Sequence, residues 1–220
     1  KNAGGDAIYV VADVSNKVDC ENIINKTMDK YNRIDILINN AGISMRALFS
    51  DLNLLDFEKV MGINFYGTVY CTKFALEHIL KSKGSIVGMS SIAGHKGLPA
   101  RTAYSASKFA MTGFLESLRI ENLKKGLHVL VASPGFTASN IRKNALSSRG
   151  VSQKKSPRNE REMMSPDLVA KKIVFSVERR KNSLVLTSQG KLVVFLNKFF
   201  PNLVDRLIFN SLSKEKKSPF

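Results

Sequence analysis

The stretch IDILINNAG, residues 34–42, decides how this chain is read: five residues dominated by Ile and Leu run directly into Asn39, Asn40, Ala41 and Gly42. A short apolar run that stops at a small-residue turn has the form of a strand buried on both faces, with its end opening into a loop. The same form recurs along the chain. AIYVV (7–11), SIVGM (85–89), LHVLVA (127–132) and SLVLT (183–187) are the other strand candidates. Helical periodicity fills the intervals at 17–31, 57–82, 104–123 and 166–180. Ser15 is expected to cap the first of these helices, and Ser165 followed by Pro166 to open the last. Strand and helix in alternation predict an α/β fold, a doubly wound parallel sheet of Rossmann-like type, whose ligands gather at the C-terminal ends of the strands.

Whole-chain properties narrow the function classes. With 220 residues and 44% hydrophobic composition the chain can bury a substantial core. Cys20 and Cys71 form no CxxC or metal spacing, so they read as packing residues in a reducing compartment, and no metal site is expected. No run of 18 apolar residues occurs, and KNAGGDAIYVV does not have the form of a secretory leader. The expectation is a cytoplasmic protein, with contact at a membrane surface as the alternative. The net charge of +16 is uneven: residues 1–120 carry 14 Lys/Arg against 11 Asp/Glu, residues 121–220 carry 20 against 7. Charge alone, without a recognition motif, does not make a nucleic-acid partner, and none is expected.

Motifs fall at the predicted strand ends. Asp13-Val14 closes the first strand, Asn39-Asn40-Ala41-Gly42 the second and Pro134-Gly135 the fourth. YSASK (104–108) sets Tyr104 four residues before Lys108, so the two stack on one side of a helix whose buried face is Ser107, Ala110, Met111, Phe114, Leu115 and Leu118. A phenol has a reference pKa of about 10. A neighbouring ammonium favours the phenolate, so the pair is expected to move a proton near neutral pH.

In this order and spacing the sequence resembles the short-chain dehydrogenase/reductase family. NNAG at 39–42, the Asn of GINFYG at 64, the second Ser of GMSSIAG at 91, YSASK and PG follow the family's sequence of motifs over nearly all of residues 5–190. Asn64 to Ser91 is 27 residues, Ser91 to Tyr104 is 13 and Tyr104 to Lys108 is 4. The resemblance implies an oxidoreductase that interconverts a carbonyl and a secondary alcohol with NAD or NADP, NADP being favoured. Tyr104 would be the proton donor or acceptor, Ser91 the hydrogen-bond donor to the same oxygen, and Lys108 the residue that lowers the phenol pKa and holds the nicotinamide ribose. Asn64 would bend its helix and hold a proton-relaying water. Asp13 and Val14 would meet the adenine, Asn40, Ala41 and Gly42 the ribose beside it, and Thr137 and Ser139, after Pro134 and Gly135, the nicotinamide carboxamide. A homodimer or homotetramer through the helices at 57–82 and 104–123 is implied as well.

One departure matters. The family opens with a glycine-rich turn that brings backbone N–H groups to the pyrophosphate, and no two glycines here are separated by a single residue. The first readable strand corresponds to the family's third. An opening βαβ unit is therefore expected to belong to the protein outside these residues, which on their own are not expected to hold an ordered dinucleotide.

The chain divides into a catalytic part, 1–190, and an apolar and basic extension, 191–220. Within the first, residues 136–164 have little periodicity and seven basic residues, Arg142, Lys143, Arg149, Lys154, Lys155, Arg158 and Arg161, beside Glu160 and Glu162. This segment is expected to cover the substrate, and its charge hints at an anionic group on it. In 191–220, Lys191, Lys198 and Arg206 lie among Leu, Val and Phe, with Pro201 opening a second helix. That segment resembles the membrane-associated steroid and lipid reductases, as does PGFTASN. It packs on the core or a partner, or lies on an anionic membrane surface. A bulky apolar substrate follows from the same resemblance; a non-catalytic scaffold or membrane-binding relative is the alternative.

Overall fold

The computed structural model describes residues 4–154, 163–214 and 218. Four strands form one parallel sheet in the order β1 (Ile36–Asn39), β2 (Ser85–Met89), β3 (His128–Ser133) and β4 (Ser183–Val185). Adjacent side chains on a strand point to opposite faces; both faces of β2 and β3 are covered, whereas Ile36 and Ile38 of β1, expected to be buried, are 51% and 50% exposed. Ile86, Val129 and Val131 pack with α1 (Lys17–Tyr31), α3 (Gly67–Lys81) and α4 (Thr102–Glu121) through Ile24, Ala75, Ile79, Met111, Leu115 and Leu118. Val87, Leu130 and Ala132 pack on the other face with Val169 and Ile173 of α5 (Pro166–Glu178). The unbroken apolar runs of β2 and β3 have this cause.

Residues 7–11 correct the sequence reading. They carry no strand, and Tyr9 and Val11 are 90% and 89% exposed. Branched and aromatic residues alone do not make a strand; a ladder partner does, and the ladder of β1 is made with β2 alone. The first helix is capped by Asn16, whose side chain accepts from Val18 N, and not by Ser15, whose hydroxyl donates to Asp13 Oδ1 at 2.7 Å. The long helix expected over 57–82 is three pieces: α2 (Leu54–Met61), a π-helical turn over Gly62–Tyr66, and α3. Cys20 and Cys71 are free and buried, and Cys20 Sγ donates to Val14 O at 3.2 Å.

The C-terminal residues form α6 (Ser188–Phe199) and α7 (Pro201–Ser213). They are tied to the segment after β2. Asn197 Nδ2 donates to His95 O at 3.1 Å, and Lys96 pairs with Asp205 at 2.7 Å.

Candidate active site

The site lies where strand ends and α4 meet. Tyr104 and Lys108 enter from the first turns of α4, and Ser91 stands just beyond β2, where its hydroxyl caps a short 3-10 turn by accepting from Ala93 N at 3.2 Å. That turn lies close to α4 because Gly94 has no side chain. A Cβ there would meet Ser90 Oγ and stand 2.9 Å from Lys108 O. Ser91 is thereby set beside Tyr104, close enough to influence its hydroxyl.

Lys108 is 3% exposed, and its ammonium donates to Met89 O at 2.7 Å and stands 5.7 Å from the centre of the Tyr104 ring. Burial lowers its pKa from the model-compound 10.5 to about 8. Tyr104 departs from the expectation that Lys108 would pull its pKa down. Burial pushes it up, while the neighbouring Ser91 hydroxyl and then the Arg101 and Arg142 charges act in the opposite direction. The lysine's charge is itself disfavoured by burial and is directed at a carbonyl, so loss of water outweighs it at the phenol.

Asn64, fully buried at the centre of the π-helical turn, has its amide paired throughout. Oδ1 accepts from Ile43 N at 2.8 Å, and Nδ2 donates to Ile43 O at 3.0 Å and to Ser107 Oγ at 2.9 Å. It therefore pins the loop after β1 to α4. Gly42 fits this junction, since a Cβ would fall 3.2 Å from Asn64 Oδ1 and 3.6 Å from Lys108 Nζ.

A cavity of about 920 Å³ opens in front of these groups. Ser91, Tyr104, Lys108, Asn40, Gly42, Pro134, Gly135, Thr137 and Ser139 all line it, whereas Asp13, Val14, Ala41 and Asn64 do not. Asp13 is exposed, and its Oδ1 takes both the Ser15 N–H and hydroxyl, which lowers its pKa. From the segment at 136–164, Phe136, Ile141, Arg142 and Met164 join the wall. Lys155, Arg158, Glu160, Arg161 and Glu162 lie outside the described residues.

Two contributions were not anticipated from sequence. Arg101, just before α4, faces the cavity, and so do Leu192, Val193, Leu196, Val204, Leu207 and Ile208 of α6 and α7. The periodicity of 191–213 signals an apolar face, but what it covers depends on the Asn197 and Asp205 contacts, which no local pattern encodes.

The residues around Tyr104 offer groups that could hold part of a dinucleotide. Lys108 is a buried donor within 3.6 Å of a Gly42 Cβ position, and Thr137 and Ser139 present hydroxyls at the β3 end. The sequence profile described as short chain dehydrogenase matches residues 1–150 of this chain. The chain belongs to that family. Its relatives include the Dehydrogenase/reductase SDR family protein 7-like of Drosophila melanogaster, 36% identical over 82% of this chain and 56% of that protein. Another is 11-beta-hydroxysteroid dehydrogenase-like 2 of Arabidopsis thaliana, 41% identical over 62% of this chain and 44% of that protein. Among solved structures, a 3-ketoacyl-ACP reductase from Sinorhizobium meliloti 1021 aligns with TM-score 0.74 at 27% identity, covering 87% of this chain and 82% of that one. The chain spans about half the length of these two curated relatives.

Proposed function

We propose that these residues carry the carbonyl-reducing or alcohol-oxidising centre of an NAD(P)-dependent oxidoreductase, acting on a lipid-like or bulky apolar substrate. One observation carries the reading: Ser91 and Tyr104 line the same large cavity, beside a buried Lys108. A substrate carbonyl oxygen placed between the two hydroxyls accepts from both. Ser91 stabilises charge as it develops on that oxygen, and Tyr104 gives up its proton to it, or takes one from the alcohol in reverse. The raised pKa keeps Tyr104 protonated near neutral pH, which suits reduction. Bound nicotinamide supplies the hydride. Lys108 holds its ribose, Thr137 and Ser139 its carboxamide, while Asp13, Val14, Asn40, Ala41 and Gly42 serve the adenosine end. NADP is the preferred form. Val169, Ile173, Leu196, Val204 and Leu207 favour a hydrocarbon over a sugar.

The test is turnover of a panel of apolar ketones by the complete protein with NADPH or NADH. Tyr104→Phe lowers kcat by orders of magnitude while ketone binding changes little. Undiminished turnover by the variant removes Tyr104 from the chemistry.

A second observation supports contact with a membrane surface. Phe195, Phe199, Phe200, Leu203 and Phe209 are about half or more exposed on α6, α7 and their junction, with Lys191, Lys198 and Arg206 nearby. No helix among the described residues is long and apolar enough to cross a membrane; an apolar face flanked by basic residues suits contact at the surface of one. The exposed Tyr66 and Phe109 favour a homodimer or homotetramer through the neighbouring helices. A non-catalytic, membrane-bound relative is the rival reading, and it predicts vesicle binding with no ketone turnover.

A further inference from the structure

The residues after Ser91 tie the chemical centre to the C-terminal helices. From Ser91 to Lys96 the backbone is one hydrogen-bonded turn: Gly94 N donates to Ser91 O at 2.9 Å, and His95 N and Lys96 N both donate to Ile92 O at 3.0 Å. Its far end is fixed to the sheet, where His95 Nε2 stands 2.9 Å from Ser133 Oγ at the end of β3. The same turn carries α6 and α7. A Cβ on Gly190 would stand 2.8 Å from Ile92 Cδ1, Asn197 Nδ2 donates to His95 O at 3.1 Å, and Lys96 pairs with Asp205 at 2.7 Å. Leu192, Val193 and Leu196 of α6, with Val204, Leu207 and Ile208 of α7, wall the cavity that Ser91 and Tyr104 also line. A ligand that fills the cavity therefore bears on helices that rest on the Ser91 turn.

Two features make this seat reversible. Thr187, where the chain leaves β4 and enters α6, is β-branched yet has φ 66° and ψ 142°, a conformation that suits glycine. Asn197 Oδ1 is buried with no hydrogen-bond partner among the described residues. Both are locally unfavourable, and both are relieved when α6 turns about Thr187 and leaves the Ser91 turn. Hydrocarbon burial along the cavity wall opposes that motion, and an apolar ligand adds to the burial.

We propose that α6 and α7 form a lid whose seating on the Ser91 turn is driven by the hydrocarbon of the substrate, with Asn197 and His95 as the positioning residues that pass the seating to Ser91. This rests on the reading of Ser91 and Tyr104 as the carbonyl site. Thr187 is the hinge. A ketone long enough to reach Leu196 and Val204 completes the seat and fixes the Ser91 hydroxyl beside Tyr104. A small ketone meets the same two hydroxyls without closing the lid, so long substrates are favoured through kcat as well as through affinity.

The experiment is hydrogen exchange of the complete protein, with and without a long-chain methyl ketone, read on the amides of Ala93 to Lys96 and on those of α6. Ketone at about ten times its Kd slows exchange through the unseated form about tenfold in both places. In Asn197→Ala with Asp205→Asn the slowing stays in α6, which reports that the cavity still forms and binds, and falls below about twofold in the turn. Asp205→Asn alone, a change of little volume at an exposed side chain, loses part of the slowing in the turn and decides the matter where the double variant does not fold. In turnover the double variant loses kcat on the long ketone and keeps it on acetone, whereas a general loss of stability lowers both. Slowing confined to α6 in the unaltered protein, or a turn protected equally in the variants, overturns the link to Ser91, and no slowing in α6 overturns the lid itself. Turnover of long ketones without any change in exchange overturns the lid and leaves the carbonyl centre standing. The expected exchange pattern without turnover of any ketone overturns that centre and leaves the lid coupled to the turn.

Discussion

Replacing Asn64 by Ala tests whether the helical bulge is a structural clamp for the site. The substitution removes one acceptor and two donor contacts, at 2.8, 3.0 and 2.9 Å, from a fully buried side chain. Ser107 Oγ keeps its bond to Tyr104 O at 2.8 Å, so the damage falls on the N–H and C=O of Ile43. An interior polar group left unpaired costs about 1–3 kcal/mol. Two such groups, partly relieved by water entering the space, give a destabilisation of about 2–4 kcal/mol. For a chain of this size each kcal/mol moves Tm by about 2–4 °C, so a fall of about 4–16 °C is expected. Urea unfolding with a circular dichroism readout checks the free energy, and calorimetry the Tm. Ser107→Ala, which removes one partner of Asn64, costs about 1 kcal/mol. An Asn64→Ala protein within about 0.5 kcal/mol of the parent would refute the clamp, since a surface substitution does as little.

Lys108 gives a pH signature. Its folded pKa of about 8 lies below the unfolded value of 10.5, so between these limits the unfolded chain holds more protons and stability rises with pH. Lys108→Met lacks that rise; the difference between the two denaturation profiles over pH 8–10.5 isolates it, and parallel profiles contradict it. Gly94→Ala pushes a Cβ against Ser90 Oγ and to 2.9 Å from Lys108 O. It should destabilise by about 1–3 kcal/mol and lower turnover by moving Ser91 from Tyr104, with unchanged melting and turnover as the contrary result. Phe199→Glu places a charge in the exposed apolar face and should reduce co-sedimentation with anionic vesicles several-fold, leaving Tm unchanged within a few degrees; undiminished pelleting would exclude this face.

Sequence carried the parts of this fold that depend on local rules. β2 is the SIVGM run itself, and Ser165 with Pro166 opens α5 as the capping pattern demands. Tyr104 and Lys108 could be placed together because one helical turn fixes their positions, and Ser91 joined them through the resemblance of its motif to the family's. The misreadings share a cause, contacts distant in sequence. Residues 7–11 have strand composition without a ladder partner. The Tyr104 pKa depends on how much water the surrounding cavity removes, which a spacing of four residues does not report. Arg101 and the α6–α7 wall became visible only when the chain had folded around the same space. Asn64 was found by its motif, yet the pairing of its amide with Ile43 and Ser107 belongs to the π-helical turn.

The most direct test of the carbonyl centre is to follow deuterium from a reduced nicotinamide dinucleotide labelled at its transferable position, using the complete protein and a medium-chain apolar ketone. The account predicts an alcohol bearing deuterium at the former carbonyl carbon, formed by the unaltered protein and almost abolished in Tyr104→Phe. Labelled alcohol appearing equally fast from the variant, or no label transfer by the unaltered protein to any ketone that it binds, would contradict it.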